Sequence, residues 1–446
     1  MENNKILNGP IFSSIFKFSI PILISLFIQA LYSAVDLWMV SQFGSNADIT
    51  GVSNGGQTIM IVHGLVIGLS VGISVLLGKT IGEKDDKKAA DVLGNSIIVM
   101  SIIGIIISIV SACLSPFITK ALHVPSESYT KTLDYIFITG IGTICVAGYN
   151  ILYNIFCGLG DSKTPLLFVL IACITNFILD YIFIDIFTLG AKGAAIATIL
   201  AQAISVILSL LFIKKKIPFK VTKENFKFNK ELALNILKLG APIGLLRALS
   251  EFSFLVIIGF VNELGLIASS GVGIAEKLVM FILLIPSAYM TSISTFVAQN
   301  NGAKNIKRVK KSLYSGMIIS ASIGFLMAYI TFFHGDLLIR LFVNDEEVIK
   351  CGALFLKATS IECLFWSIAL CFDGYFSGLE HTTYVMAEGL LISLLVRVPV
   401  AYYTTQVIEP HLFKIGLSNA CAAISSLVLA IGFYIYLEIK KKRKIV

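Results

Sequence analysis

Apolar stretches of twenty or more residues follow one another almost from end to end of this chain. The first, residues 19–40, reads SIPILISLFIQALYSAVDLWMV and holds a single charge, Asp36. A helix needs about 20 mostly apolar residues to cross the hydrocarbon core of a bilayer. Inside that core every backbone N–H and C=O must find a partner, which leaves only helices and closed barrels. A barrel would alternate polar and apolar residues, and these runs do not. Only 14% of the residues are charged and 56% are hydrophobic, whereas a soluble domain is about 25% charged. The chain therefore reads as an all-α polytopic membrane protein. Its polar leader enters a span too long for the apolar core of a signal peptide, so no cleaved signal is expected.

Spans are predicted at 15–43, 50–79, 90–114, 128–158, 164–187, 191–213, 236–261, 267–298, 312–334, 349–378, 383–405 and 413–438. If the N-terminus lies inside, 25 of the 35 Lys and Arg residues fall in inside segments and six outside. That bias predicts twelve helices with both termini cytoplasmic. It also explains the net charge of +8 without a nucleic-acid partner, and leaves the basic tail at 440–444 to anionic lipid. The eight cysteines (113, 145, 157, 173, 351, 363, 371 and 421) are scattered through apolar spans with no CxxC pair. They read as small core residues, with neither disulfide nor metal role expected.

The chain repeats itself at about 220 residues. IFKFSIP at 15–21 matches ILKLGAP at 236–242, GEKDDKK at 82–88 matches GAKNIKR at 302–308, and CGL at 157–159 matches SGL at 377–379. Six spans per unit give both halves one orientation, a parallel repeat. The expected organisation is a six-helix lobe at 1–213, a basic cytoplasmic linker at 214–235, a second six-helix lobe at 236–438 and a basic tail at 439–446, with the lobes around a central cavity. Such a plan suits alternating access.

A carboxylate at membrane depth is costly unless it faces a polar cavity or binds a cation, which makes Asp36 the leading functional residue. At ~1.5 Å per residue, Asp36 lies about 28 Å from the inner side. Asp180 lies roughly 24 Å up the fifth helix by the same measure, and Asn176, four residues earlier, shares its face. Thr198 lies about 10 Å down from the outer side. All four can meet in the outer half of the first lobe. Two carboxylates, an amide and a hydroxyl can hold a hard cation such as Na⁺. They can equally hold a proton, because two close carboxylates do not easily both stay ionised. Asn176 and Thr198 taken singly also read as interhelical hydrogen-bond glue. Pro21, on the helix of Asp36, removes a backbone donor and predicts a bend; Pro242 takes its place in the second lobe. Gly64, Gly68 and Gly72 form a groove for close helix packing.

The second lobe does not copy the pocket, since Asp36 aligns with Ile257. It has its own intramembrane charges. Arg247 and Glu251 are four apart on one helix, where they can neutralise each other or leave Glu251 facing a cavity, and both Glu251 and Glu362 lie near mid-depth. Glu276, Lys277, Lys357, Asp373, Glu388 and Arg397 complete the set. Trp38 and Trp366 can stack on a flat cation or serve as belt or core residues. Glu251, Arg247, Glu362 and Trp366 are the candidate lining of a substrate cavity. His63 stands alone, and no nucleophile arrangement or metal-ligand spacing suggests an enzyme.

Together these residues resemble the multidrug and toxic compound extrusion (MATE) family over nearly the whole chain. The resemblance rests on the twelve-helix duplication, Ser-Ile-Pro21 and Val-Asp36, the glycine-rich second helix followed by Gly82, CGLGD at 157–161, and above all NFILD at 176–180 followed by Thr198. It implies a cation-binding site at Asp36, Asn176, Asp180 and Thr198, with Na⁺ or H⁺ as the coupling ion, and a bend at Pro21 linked to the transport cycle. Some branches of the family also use acidic residues in helices 7 and 10. Glu251 fits the first; at the second the usual aspartate is missing, its place falling near Trp366, one turn from Glu362. The implied function is antiport in the cytoplasmic membrane by a monomer without organic cofactor, exporting amphipathic, cationic organic compounds against inward H⁺ or Na⁺. The rival is a lipid-linked sugar flippase of a related two-lobed fold, which needs a cationic cavity to hold its pyrophosphate.

Overall fold

The computed structural model describes residues 5–407 and 411–443. Twelve helices long and apolar enough to cross a membrane occur among them, and no strand. They are α1 (Ile11–Phe43), α2 (Asn46–Glu83), α3 (Asp86–Ala121), α4 (Ser126–Leu159), α5 (Lys163–Ile186), α6 (Ala191–Lys216), α7 (Lys230–Asn262), α8 (Leu266–Gly302), α9 (Ile306–Phe333), α10 (Glu346–Gly378), α11 (Thr382–Gln406) and α12 (Leu412–Arg443). Each covers one predicted span. Their surfaces suit a bilayer: Ile102, Ile105, Ile106 and Ile109 of α3 and Ile174, Phe177 and Ile178 of α5 are all exposed. Exposed isoleucine at consecutive turns is stable only against lipid or another apolar surface. The chain is a multi-pass membrane protein. Residues 444–446 of the expected tail lie outside the described residues.

Two compact units are present. One comprises Ile20–Ala248 with Ala298–Lys304 and the N-terminal residues to Asn8; the other comprises Gly9–Ser19, Leu249–Val297 and the chain from Asn305 onward. α1 thus passes from the second unit to the first immediately before Pro21, and α7 passes the other way after Ala248. These units divide the chain differently from the repeat, which runs from lobe to lobe without exchanging helix ends.

In the first unit the glycine groove of α2 meets the start of α7. A Cβ on Gly68 would lie 2.4 Å from the Gly244 Cα, and one on Gly72 would lie 2.8 Å from the Gly240 nitrogen. Only glycine permits backbones this close, so the packing role read from the sequence holds for Gly68 and Gly72. The core beneath is built from Ile73, Leu77, Ile155, Phe156 and Phe168. The basic linker is docked: Asn225 Nδ2 donates to Asp91 Oδ1 at 2.7 Å, and Asn229 N donates to Asn95 Oδ1 at 2.7 Å. A Cβ on Gly94 would sit 2.1 Å from the Asn225 carbonyl oxygen, so α3 and the linker share a glycine-dependent contact too.

In the second unit the first turns of α1 are tied to α8 and α9. Ser19 Oγ donates to Ser292 Oγ at 2.7 Å, the Phe18 and Phe296 rings meet edge to face at 5.6 Å, and Arg308 Nη2 donates to the Gly9 carbonyl at 2.9 Å. Its core holds Val261, Val279, Phe355, Leu356 and Ile415.

Candidate functional site

Asp48 fixes the end of the first unit that the positive-inside bias assigns to the outside. It closes a capping box with Ser45 at the start of α2. One of its oxygens accepts from the Ala191 N–H at 3.0 Å and lies 3.0 Å from Lys131 Nζ. This side chain joins the first turns of α2, α4 and α6. The turn into α6 depends on Gly190, whose φ is +55° and whose Cβ would fall 2.2 Å from Asp48 Oδ1. No other residue fits there. Seven residues below Ala191, α6 presents Thr198.

Thr198 Oγ1 donates to Asp36 Oδ2 at 3.0 Å. Tyr32, one turn before Asp36, donates its hydroxyl to the Thr198 carbonyl at 3.2 Å. Asn176 and Asp180 of α5 lie beside Asp36, with Tyr135 of α4 adjacent to both carboxylates. Asp36 is 4% exposed, Asn176 1% and Asp180 0%. Asp36 Oδ1, both Asp180 oxygens and both polar atoms of the Asn176 amide have no hydrogen-bond partner. Two carboxylates facing each other offer only acceptors, an arrangement with room for a cationic species between them. A proton or a monovalent cation does this, and the oxygens of Asp36, Asp180, Asn176 and Thr198 suit either. No group of three His, Cys, Asp or Glu side chains placed for a metal ion occurs among the described residues; a site here draws on amide and hydroxyl oxygens.

Beyond Asp180 the helix widens. Tyr181–Ile186 is a π-helical turn, and Phe187 N–H reaches back five residues to the Ile182 carbonyl at 3.0 Å. Such turns recur at functional sites, yet the second half has one at Tyr403–Val407, in the equivalent repeat position. The widened turn belongs to the duplicated scaffold.

Pro21 is buried inside α1, and Pro242 inside α7. Arg247 stands in the first unit, with its Cβ 3.7 Å from a Cβ placed on Gly64 and its charge near Tyr153. Glu251 is half-buried in the second unit. Trp38 is exposed. Glu362 is 4% exposed, and Trp366 lies beside it one turn on.

Glu362 belongs to a network not foreseen as a group. Arg397 Nε donates to Asn419 Oδ1 at 2.8 Å, and Asn419 Nδ2 donates to Glu276 Oε1 at 3.3 Å. Glu276 and Glu362 both neighbour Arg397, whose guanidinium also lies 5.9 Å from the Phe254 ring centre. At the repeat offset of 221, Arg397 takes the place of Asn176, Asn419 that of Thr198, Ile257 that of Asp36 and Ala401 that of Asp180. The repeat register relates Arg397 and Asn419 to the first pocket, while Glu276 and Glu362 carry no such signal. Tyr32 was legible too, four residues before Asp36 and so on its face.

Comparison with known proteins adds an independent line. The family model described as MatE matches residues 21–182 and 242–403, two segments in the same 221-residue register. A Bacillus subtilis (strain 168) protein described as the probable multidrug resistance protein YpnP is 28% identical over 439 residues, covering 96% of both chains. The multidrug export protein MepA of Staphylococcus aureus (strain MSSA476) is 25% identical over 390 residues, 86% of each chain. Among solved structures, the outward-facing conformation of a multidrug resistance MATE family transporter of the MOP superfamily matches with a TM-score of 0.88 at 20% identity, over 100% of this chain and 99% of that one. With the family model matched in both halves, this chain belongs to the MatE family, the multidrug and toxic compound extrusion transporters.

Proposed function

We propose that this protein is a secondary active antiporter that exports amphipathic, cationic organic compounds in exchange for H⁺ or Na⁺. It works in the cytoplasmic membrane as a monomer, with both termini cytoplasmic. The observation that carries this reading is the buried Asp36–Asp180 pair, which has neutral donors around it and unpartnered oxygens on both carboxylates. A site of this kind must take up a diffusible cation to be stable, and that requirement is the basis of coupling. Each charge moving inward down the membrane potential releases ~2.3 kcal/mol per 100 mV, enough to drive useful accumulation ratios. The multidrug names of the Bacillus and Staphylococcus relatives support an organic, drug-like substrate.

The sign of the buried charge supports a cationic substrate over the pyrophosphate of a lipid-linked sugar. Among the described residues the buried charged side chains are Asp36, Asp48, Asp180, Glu276, Glu362, Asp373 and Glu388, all acids, and no Lys or Arg is buried. A pyrophosphate is held instead by Arg and Lys. The test is drug-driven ion movement in proteoliposomes, with pH and Na⁺ gradients imposed separately. One gradient should drive export by the native chain and fail with Asp36→Asn. Export unaffected by either gradient would exclude antiport.

A further inference from the structure

A second carboxyl pair lies in the second half, apart from the Arg397 network. Asp373 on α10 is 7% exposed and Glu388 on α11 is 5% exposed. Glu388 is the charged neighbour of Asp373. Ser426 Oγ on α12 donates to Glu388 Oε1 at 2.6 Å, while Glu388 Oε2 is buried without a partner. Asp373 stands five residues before the end of α10 and Glu388 six after the start of α11, so both lie about 8 Å inside the helix ends assigned to the cytoplasm.

Among the described residues, no Lys, Arg or His is recorded acting on either carboxyl. Cys371 of α10 and Tyr384 of α11 adjoin the pair, and Tyr289 of α8 adjoins Cys371. Tyr384 donates its hydroxyl to the Leu429 carbonyl at 2.8 Å. Toward the helix ends, Tyr314 of α9 and Tyr434 of α12 are bonded at 2.9 Å, with Tyr375 of α10 against the Tyr434 ring. At the helix ends, Lys310 is paired with Glu438, and Lys440 and Lys441 lie beside His381 with Glu380. The pair repeats the logic of Asp36 and Asp180: two buried carboxylates, one hydroxyl donor and an orphaned oxygen. It has no place in the repeat, since in the register of 220 that holds around residue 377 the equivalent positions are Tyr153 and Phe168.

We propose that Asp373, Glu388 and Ser426 form a second proton-binding site, on the cytoplasmic side of the second half. A proton on Glu388 turns its orphaned oxygen into a donor and halves the buried charge of the two neighbouring carboxyls. Two carboxyls and one hydroxyl are too few for a hard metal cation, which takes about six oxygen ligands. The site stands independently of the coupling role proposed for Asp36.

Infrared titration of the full chain in lipid tests it, in an Asp36→Asn, Asp180→Asn background that silences the first pair whatever its role. The parent should show a protonated-carboxyl band that fades as pH rises, and Asp373→Asn with Glu388→Gln should remove the part of it that Glu276 and Glu362 do not supply. That double change should leave the melting temperature unchanged or higher, because it removes uncompensated buried charge. If it prevents folding, Ser426→Ala keeps both carboxyls and should move the titration midpoint. Identical spectra at every pH with and without the double change, a midpoint unmoved by Ser426→Ala, or a band erased by Na⁺ at fixed pH would each overturn the proposal.

Discussion

In the first half Asp36 and Asp180 meet Asn176 and Thr198, and no Lys or Arg among the described residues pairs with them. In the second half the same repeat positions hold Ile257, Ala401, Arg397 and Asn419. There the carboxylates come instead from α8 and α10, as Glu276 and Glu362, and a guanidinium is covalently built in. One scaffold therefore supports two charge economies. Under the proposed function, the first pocket borrows its positive charge from outside the protein and so can exchange it. The second carries a cation that cannot leave. Duplication preserved the helices and the π-helical turn that follows the pocket, Tyr181–Ile186 and Tyr403–Val407, while the second half adds one at Ser393–Arg397 that carries its built-in guanidinium.

The largest effect that tests this contrast is Asp36→Asn. Export should fall to the level of empty vesicles under either ion gradient, because an amide neither titrates nor supplies a formal charge. Thermal stability should hold or rise, since a buried uncompensated charge is removed. Full export by this variant would dissolve the distinction between the halves. Asp180→Asn and Asn176→Ala should act next, each weakening the apparent ion affinity by about tenfold, the worth of one hydrogen bond to a charged group. Ion-concentration dependence of export measures both. Cysteines at 36 and 180 should also cross-link, and failure to do so in any state of the cycle would separate the two carboxylates.

The parts legible in sequence were those written in local pattern. All twelve spans could be placed because lipid demands long apolar runs. Their ends ran short at α3, which continues past Pro116 to Ala121, and at α7, α9 and α12, which begin at Lys230 and Ile306 and end at Arg443; in the last three, hydropathy stops at charged residues while the helix continues into water. The first pocket could be assembled from depth alone, because charges in those spans are few. The Arg397 network was hidden: its members sit on four helices at 276, 362, 397 and 419, and only the repeat register relates two of them to known positions. The docking of the linker through Asn225 and Asn229 left no pattern, because asparagine in a polar segment looks the same docked or exposed.

Arg397→Gln tests the fixed cation. It leaves Glu276 and Glu362 buried without their counter-charge, which should cost about 2 kcal/mol or more of stability and lower the melting temperature. A second change, Glu362→Gln, should recover most of that loss, because it restores the balance of charge. Gradient-driven export per folded molecule should persist in both variants. If Arg397→Gln instead melts like the native chain and uncouples export, the guanidinium is part of the exchange machinery and the contrast between the halves is wrong.

The smallest expected effect is that of Glu251→Gln. Glu251 is half-buried, in a half whose Asp36 position is an isoleucine, so the repeat gives it no role in ion exchange. An intramembrane carboxylate still attracts positive charge. Its loss should therefore weaken the handling of a cationic substrate by a few fold, on the order of one partly screened charge interaction, and leave a neutral one nearly unchanged. Export of one compound of each kind, under the same ion gradient, separates the two roles. A deficit confined to the cationic compound would place Glu251 on the substrate side of the mechanism and keep ion exchange in the first half. Equal and complete loss for both compounds would mean that Glu251 couples ions after all, and that the second half holds an exchangeable charge beside its fixed one.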